Sequence, residues 1–326
     1  MKKFIVLILS LITLTFTLTA CGSTSFDFGG AYWKTEPAAG QEATETLTYA
    51  VEVNNTTLSD TNVLQGEASL VLDESSYYKT FFDYLTGEDL YYLKTELYIK
   101  GEYVKGEDKY PVEDKTVSET WFKTISKELA PVKTIKKVEN NTVYLGSGYR
   151  YPVISFAYDY TVAYDGDDAT VTFNVINDEH NALNGLSGET KYKNIDKKPY
   201  VDNELLMFVP RAYDLSKGLT KTVNSVDVVG KSLRSLNLST SASDAKNVTL
   251  ATGYTENGNA ESGKTEIPSM KLSVEINGTF SGRPIEAYFA ASKDEKHRPT
   301  LIYTALNANL GYLTYRLKTV EYAPKA

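Results

Sequence analysis

The chain has 326 residues, and its 42 acidic and 34 basic side chains give a formal net charge of −8 at pH 7. This acidic balance argues against nucleic acid as a partner and against electrostatic docking to anionic lipid. Because Cys21 is the single cysteine, no intrachain disulfide can form, and packing alone must stabilise the fold.

The N-terminus has the pattern of an export signal. Lys2 and Lys3 precede an uncharged, apolar run over residues 4–20, which predicts a signal peptide over residues 1–20. The ending Leu18-Thr19-Ala20-Cys21 resembles the bacterial lipobox. That resemblance implies that a diacylglycerol is attached to the Cys21 sulfur and that cleavage makes Cys21 the first residue. The alternative is an ordinary secretory signal in which the cysteine is incidental.

The lipobox therefore predicts an extracytoplasmic protein of the cell envelope, held at the membrane by its lipid anchor. Gly22 follows the cysteine, and in a cell with two membranes the resemblance implies the outer membrane. Residues 21–46 lack periodicity and are predicted to be a linker. A β-sheet domain is expected over residues 47–322, as one elongated domain or as two lobes with a boundary near 180–198.

Alternating apolar residues predict strands throughout the first half. Leu47 to Val53 and residues 66–73 each read as a strand, and Tyr77–Leu85 with residues 90–103 as a hairpin. Residues 118–129 fit either a strand or a helix that Pro131 would stop. A strand is expected over residues 132–138. The most regular alternation spans residues 154–164 and continues after an Asp-Gly turn, which predicts a long hairpin in an antiparallel sheet.

The second half begins with a polar stretch, residues 180–198, that is predicted to be a loop. Residues 202–209 are the best candidate for a helix, capped by Asp202 or Asn203 and limited by Pro210. The remaining apolar segments are expected to be strands, over residues 223–238, 248–254, 270–276, 285–290, 301–305 and 312–320.

Residue types that carry chemistry are few and badly placed for it. His180 and His297 both lie in charged turns, and neither belongs to a set with metal-ligand spacing. Asp165-Gly166-Asp167-Asp168 lacks the closing glutamate of a calcium loop, and a hairpin turn explains it. No nucleophile elbow or phosphate loop is present. We therefore expect no metal, no cofactor, no catalytic residue and no enzymatic activity.

Two motifs in the second half resemble the signatures of an exported bacterial family known only as a domain of unknown function. The first runs from Asp202 through Arg211 to Gly218, and the second from Phe289 through Pro299 to Gly311. The resemblance implies a mainly β fold: a large, curved, half-barrel-like antiparallel sheet with one or two short helices, one of them in its concavity. That outline is similar to the lipoprotein-carrier fold. Pro210 departs from the family pattern, and no activity is attached to the family.

The chain is rich in aromatic residues, with 25 Tyr and 12 Phe. Two interpretations fit this excess: a high content of β-sheet, or an aromatic binding surface. Three functions follow. The first is a binding protein for a hydrophobic or amphiphilic ligand, with Phe156, Tyr158 and Tyr160 as the candidate ligand face. The second is a structural or partner-binding envelope lipoprotein, with its protein partner unspecified. The third is a glycan or peptide hydrolase, which would need converging carboxylates.

The candidate structural residues of the two motifs are Arg211, Gly218, Pro299 and Gly311. Arg211 directly follows an apolar segment, and an arginine in that position can serve in three ways. Its stem can cover apolar surface while its head stays in water. It can instead form a bidentate pair with a carboxylate, from Asp214 or a more distant acid, that fixes the segment onto the sheet. A ligand-binding role is the third option. Of these, the structural pair is favoured.

Overall fold

The computed structural model describes residues 42–54, 68–85, 90–125, 128–143, 153–195, 200–212, 215, 218–240, 245–258, 260, 264–277, 285–292, 295–307 and 311–324. In these residues the chain is mainly β, and its 17 strands belong to one large sheet. The predicted fold class is therefore confirmed. Cys21 and Asp214 lie outside the described residues.

Nine strands precede residue 195, and most of them are long. They are β1 (Glu42–Asn54), β2 (Ala68–Leu72), β3 (Tyr77–Leu85), β4 (Leu90–Lys105), β5 (Asp108–Ile125), β6 (Glu128–Val143), β7 (Val153–Asp165), β8 (Asp168–Asp178) and β9 (Gly188–Tyr192). Eight more follow residue 218: β10 (Leu219–Asp227), β11 (Ser232–Thr240), β12 (Lys246–Thr249), β13 (Thr255–Glu256), β14 (Glu266–Asn277), β15 (Ile285–Ala290), β16 (Pro299–Asn307) and β17 (Gly311–Pro324).

Strand β1 joins the two halves of the sheet, because it pairs with β3 on one side and with β17 on the other. From β3 the antiparallel order continues through β4, β5, β6, β7 and β8 to β9. From β17 it continues through β16, β15, β14 and β11 to β10. The short strands β2 and β12 pair with the ends of β4 and β14, and β13 runs parallel to β17.

The two ends of this order approach each other without closing the sheet. Among the described residues no hydrogen-bonded ladder joins β9 to β10. Instead, Val226 of β10 packs in one apolar cluster with Tyr160, Val162 and Phe173 of β7 and β8. At the tip of the β10–β11 hairpin, Lys231 Nζ donates to Gly185 O at 2.8 Å. We call this contact of β10 and β11 with β7, β8 and the loop before β9 the seam.

The concave face of the sheet holds the main core. Alternation sends every second side chain inward, and the inward residues of β1, β3–β6, β10, β11 and β14–β17 form one buried apolar cluster. The chain between β9 and β10 crosses this face, and we call residues 200–212 the inner segment. Its buried Leu205, Leu206, Phe208 and Val209 belong to the same cluster, so the concavity is partly filled by the chain itself.

The predicted helix over residues 202–209 is wrong in type. The inner segment contains two short 3-10 helices, Asn203–Leu205 and Val209–Ala212, and the predicted cap is present because Asp202 Oδ1 accepts from Glu204 N at 2.8 Å. Pro210 has no N–H, so a longer α-helix through it would lose a backbone hydrogen bond. Among the described residues no helix is long and apolar enough to cross a membrane.

The observed strand pairings correct several predictions of strands and loops. The predicted loop over residues 180–198 contains β9, which pairs with β8. The sequence did not indicate this strand because it is too polar to show alternating apolar residues. The described residues of the ambiguous stretch 118–129 are the end of β5 and the start of β6, so the helix alternative is wrong. Residues 223–238 are two strands joined by a turn. Strand β1 begins at Glu42, inside the predicted linker, because its first residues pair with the C-terminal end of β17.

Candidate functional site

The inner segment divides the concave face into a sealed side and a side that opens at the seam. Its anchor is Phe208, whose ring centroid lies 4.7 Å from that of Phe82 and 5.8 Å from that of Phe122. Burying large aromatic side chains against each other is a major source of stability in a β-fold. This packing fixes the charged residues at the two ends of the segment, Glu204 and Arg211.

On the sealed side, Arg211 forms a bidentate ion pair with Glu45 of β1. Arg211 Nη1 and Nη2 donate to the two carboxylate oxygens at 2.7 and 2.9 Å, and both side chains are only 3% exposed. Burial alone would raise the pKa of Glu45, but the Arg211 guanidinium overcomes this and lowers it. The acid that partners Arg211 therefore comes from 166 residues away in sequence.

Of the other signature residues, Pro299 lies near this pair, whereas Gly311 lies at the end of β17 far from Tyr322, the ladder partner of Glu45. Pro299 is buried at the start of β16, and its carbonyl oxygen accepts from the Tyr49 hydroxyl at 2.9 Å. Arg298 is also buried, and its Nη2 lies 3.0 Å from Glu295 Oε2. Gly218 has a φ of +76°, a conformation that glycine adopts readily, and leads into β10. Gly311 is the first residue of β17.

On the open side, Glu204 forms a second ion pair, with Lys136 of β6. Lys136 Nζ donates to Glu204 Oε1 at 2.8 Å, and the two side chains are 20% and 10% exposed. Burial opposes the charge of both groups, but their attraction lowers the pKa of Glu204 and raises that of Lys136. This pair is therefore ionised although it lies well inside the concavity.

A chain of phenols lies beside this pair. The Tyr200 hydroxyl donates to the Tyr164 hydroxyl at 2.9 Å, and Tyr164 donates in turn to Asp202 Oδ2. Burial raises the pKa of the Asp202 carboxyl and raises those of both phenols well above their ordinary values. These groups satisfy one another, so they rigidify the start of the inner segment.

A pocket of about 250 Å³ lies at the seam between the sheet and the β10–β11 hairpin. One wall carries Tyr158 and Tyr160 of β7, with Lys136 and Asn203 beside them. The opposite wall is the hairpin, whose lining residues are Ser225, Val226, Asp227, Val228, Val229, Arg234 and Leu236. The pocket is thus aromatic on the sheet side, and its hairpin side combines aliphatic residues with Ser225 and the charged Asp227 and Arg234. We call it the seam pocket.

Ser225 is the unusual member of the lining. Its side chain is 2% exposed, and its hydroxyl has no hydrogen-bond partner within the described protein. A buried hydroxyl without a partner is unfavourable by about 1–3 kcal/mol, and such groups are rare in folded proteins. Across the same pocket the charges are compensated, because Arg234 pairs with Asp227 and Lys136 with Glu204. Ser225 therefore offers an unused donor and acceptor in a wall of zero net charge.

The predicted ligand face is divided by the structure. Its three rings share one face of β7, with neighbouring ring centroids 6.1 and 6.4 Å apart. Tyr158 and Tyr160 line the seam pocket, but Phe156 is not part of its lining. Sequence reasoning missed Lys136 and Ser225. Lys136 had a signal, since it shares the inward phase of β6 with Thr134 and Val138, whereas Ser225 had none.

Carboxylates with a raised pKa occur at separate places on the concave side. Burial raises the pKa of Asp114 to about 6, and Thr142 and Asn141 bond to that carboxyl. Asp202 instead lies near Thr134. Thr134 and Thr142 are both on β6, about eight residues or roughly 26 Å apart, so the two carboxyls are well separated. Among the described residues, no group of three or more His, Cys, Asp or Glu side chains could hold a metal ion.

Comparison with known proteins adds a fold likeness and no function. No protein-family model matches the chain, and no curated protein matches it. Among solved structures, the chain is similar to the crystal structure of a beta-barrel-like protein of domain of unknown function DUF1849 from Brucella abortus. The TM-score is 0.49 and the sequence identity 5%, over 88% of this chain and 100% of that chain. The family resemblance of the Arg211 and Pro299 motifs stays a prediction.

Proposed function

We propose that this chain is a lipid-anchored, extracytoplasmic binding protein, without enzymatic activity, that holds a small amphiphilic molecule in the seam pocket. The observation that carries the proposal is the buried, unpartnered Ser225 hydroxyl in a pocket whose lining also includes two tyrosines, four aliphatic residues and charges that are compensated by ion pairs. Binding sites for small molecules typically combine a largely apolar lining with a few polar groups that orient the ligand. A ligand hydroxyl, amide or ester would pair with Ser225, and its apolar part would lie along Val226 and Val228.

The position of the pocket supports entry and release of such a molecule. The seam is joined by side-chain contacts and single hydrogen bonds, whereas every other strand neighbour is joined by a ladder. Local opening favours regions with few backbone hydrogen bonds. The β10–β11 hairpin can therefore move away from β7 while the sealed side stays intact.

Two matched substitutions test the pocket. Val229 lines the seam pocket and is 48% exposed, and Val71 of β2 is 55% exposed and lies outside that lining. Native mass spectrometry of residues 31–326 purified from cells should detect a co-purifying small molecule in the parent protein. The molecule should be lost from Val229→Glu and retained by Val71→Glu. Absence of any bound molecule in the parent, or equal retention by the two variants, would contradict the proposal.

The anchor is tested separately through Cys21. Cys21→Ser removes the thiol that the lipobox resemblance requires, so the variant should remain an unprocessed precursor or be released from the membrane. Detergent phase partitioning of the cell extract measures this directly. A Cys21→Ser protein that is processed and still enters the detergent phase would show that the anchor lies elsewhere.

A further inference from the structure

The solvent side of β3, β4 and β5 carries aromatic rings where polar side chains are expected. Tyr78 and Phe82 of β3 and Tyr91 of β4 point into the core, so their sequence neighbours Tyr77, Phe81 and Tyr92 point outward. Tyr98 pairs with Tyr77 across the ladder, and Trp121 pairs with Tyr92. All five outward rings are partly exposed. We call these five residues the outer track.

The five rings of the outer track form two separate groups, which we call stations. In the first, the ring centroids of Tyr77 and Tyr98 are 5.9 Å apart. In the second, Tyr92 lies between Phe81 at 6.2 Å and Trp121 at 5.2 Å. Tyr92 and Tyr98 are six residues apart on β4, which places the stations about 20 Å from each other along the strand. Cross-strand ring pairs stabilise a sheet on their own, so the surroundings of the rings decide whether they also bind.

Each station borders a depression in the sheet surface. The first lies in a groove of about 560 Å³ that follows one cross-strand row from Tyr77 through Lys115 and Glu139 to Asn177. The groove is deepest at β7, because Ser155 and Ala157 are small and the side chains on either side of them are larger. The second borders a hollow of about 300 Å³ lined by Lys79, Phe81, Tyr92, Lys94 and Glu96.

The polar groups around the rings suit neutral hydroxyl groups. The phenols hold two carboxylates in place, since Tyr98 donates to Glu113 at 3.0 Å and Tyr92 donates to Glu119 at 2.7 Å. Asn141 and Asn177 add carboxamides along the groove. Lysines and acids alternate, as in the Lys94–Glu96 pair at 2.5 Å, so the surface has no excess positive charge for a polyanion.

The backbone argues against a protein strand as the occupant. Strands β3, β4 and β5 lie inside the sheet, and each is paired on both sides along the track. Addition of a partner strand requires an unpaired edge. The occupant must therefore lie across the side chains, where flat rings can cover the C–H face of a ring-shaped ligand and the flanking amides and carboxylates can bond to its hydroxyls.

We propose that the outer track binds a neutral, linear glycan. Its sugar rings stack at the two stations, the chain crosses Lys79, Lys94 and Glu96 between them, and one end continues from the first station into the groove toward Ala157. This site is on the opposite face of the sheet from the seam pocket and is independent of it. An open groove with two separated stations fits a polymer better than a small molecule, because binding at one station raises the effective concentration at the other.

Affinity electrophoresis of the full chain in detergent tests this, with hydroxyethyl cellulose, glycol chitin and soluble amylose as probes. At least one polymer should retard the parent protein. Trp121→Ala and Tyr98→Ala should each weaken that retardation about tenfold, and Ala157→Tyr, which fills the groove floor, should weaken it as well. Tyr303→Ala is the matched control, since Tyr303 of β16 forms an aromatic pair with Tyr288 away from the track.

The outcomes separate binding from stability. Thermal melts identify any variant that has lost its fold, and Ala157→Tyr removes no ring contact. Failure of all three polymers to retard the parent protein would overturn the proposal. Retardation that Trp121→Ala, Tyr98→Ala and Ala157→Tyr leave unchanged would also overturn it, and the rings would then serve the sheet alone.

Discussion

The inner segment carries one ion pair toward each side of the concavity, and the two pairs differ in how completely the protein encloses them. Arg211 and Glu45 are both 3% exposed and make two hydrogen bonds to each other. Lys136 and Glu204 are 20% and 10% exposed, and one hydrogen bond between them is described. The first pair lies in the closed part of the core, whereas Lys136 lines the seam pocket. The same chemistry therefore fixes the segment at one end and borders a solvent-accessible site at the other.

The hydrogen bonding of individual polar groups also differs between the two sides. The three nitrogens of the Arg211 guanidinium all donate, with Nε donating to Lys296 O at 3.2 Å, although Nη1 of the neighbouring Arg298 has no hydrogen-bond partner in the described protein. Around the seam pocket, the Ser225 hydroxyl lacks a partner. Stable cores satisfy their polar groups, and sites that bind a ligand leave some for it. Substitutions on the two sides should therefore have different effects on stability and on binding.

The largest expected effect is that of Arg211→Met. Removing the guanidinium leaves the Glu45 carboxylate buried without its partner, which should lower the free energy of unfolding by about 3–5 kcal/mol. Urea denaturation at pH 7 measures the loss. Because the pKa of Glu45 is lowered in the folded state, the stabilisation is present above its unfolded pKa and is lost as the pH falls below it. An Arg211→Met protein as stable as the parent at pH 7 would contradict this role.

Asp114→Asn should act in the opposite direction. Burial raises the pKa of Asp114 from 3.8 to about 6, and its Oδ1 has no hydrogen-bond partner. The folded state therefore holds a proton that the unfolded state releases, and stability falls as the pH rises from about 4 to about 6. The amide avoids this penalty, so the variant should be about 3 kcal/mol more stable than the parent at pH 8.

Urea denaturation of both proteins at pH 4 and pH 8 checks this prediction. At pH 4 the Asp114 carboxyl is largely protonated in the folded protein, and the two proteins should differ little. A stability difference that is the same at both pH values would show that Asp114 does not titrate in this range.

Lys136→Met should have a smaller effect than Arg211→Met. Because one fifth of the Lys136 side chain is exposed, water can partly solvate the Glu204 carboxylate that is left behind, and we expect a loss of about 2 kcal/mol. The control is Lys109→Met, which breaks an exposed pair with Glu102 and should change the free energy of unfolding by about 0–1 kcal/mol. Equal losses in Lys136→Met and Arg211→Met would remove the distinction between the two sides.

Some features of the fold and of the two sides can be predicted from the sequence, and others cannot. The alternation of residues 154–164 predicts β7 because every second side chain faces the core along the whole strand. The Arg211–Glu45 pair left no local signal, since its members are 166 positions apart and meet only because the inner segment packs across the concave face against β1. The helix prediction for the inner segment had the cap right at Asp202, but Pro210 and the packing of Phe208 decided the conformation. The Ser225 hydroxyl lacks a partner because of the packing across the seam, and no periodicity in the sequence predicts that packing.

The smallest expected effect on stability is that of Ser225→Ala, and it separates the two sides most directly. Ser118 of β5 is the matched control, because it is equally buried but its hydroxyl lies 2.5 Å from the Thr95 hydroxyl. Ser118→Ala removes this hydrogen bond and the one that Ser118 makes to the Glu204 carboxylate, and should lower the free energy of unfolding by about 1–3 kcal/mol. Ser225→Ala removes a hydroxyl that has no partner to lose, so stability should be unchanged or rise by up to about 1 kcal/mol. If the Ser225 hydroxyl is kept for a ligand, the same variant should retain less of the co-purifying molecule in native mass spectrometry. A Ser225→Ala protein that loses as much stability as Ser118→Ala would show that the hydroxyl is already satisfied, and the polar anchor of the seam pocket would have to be sought elsewhere.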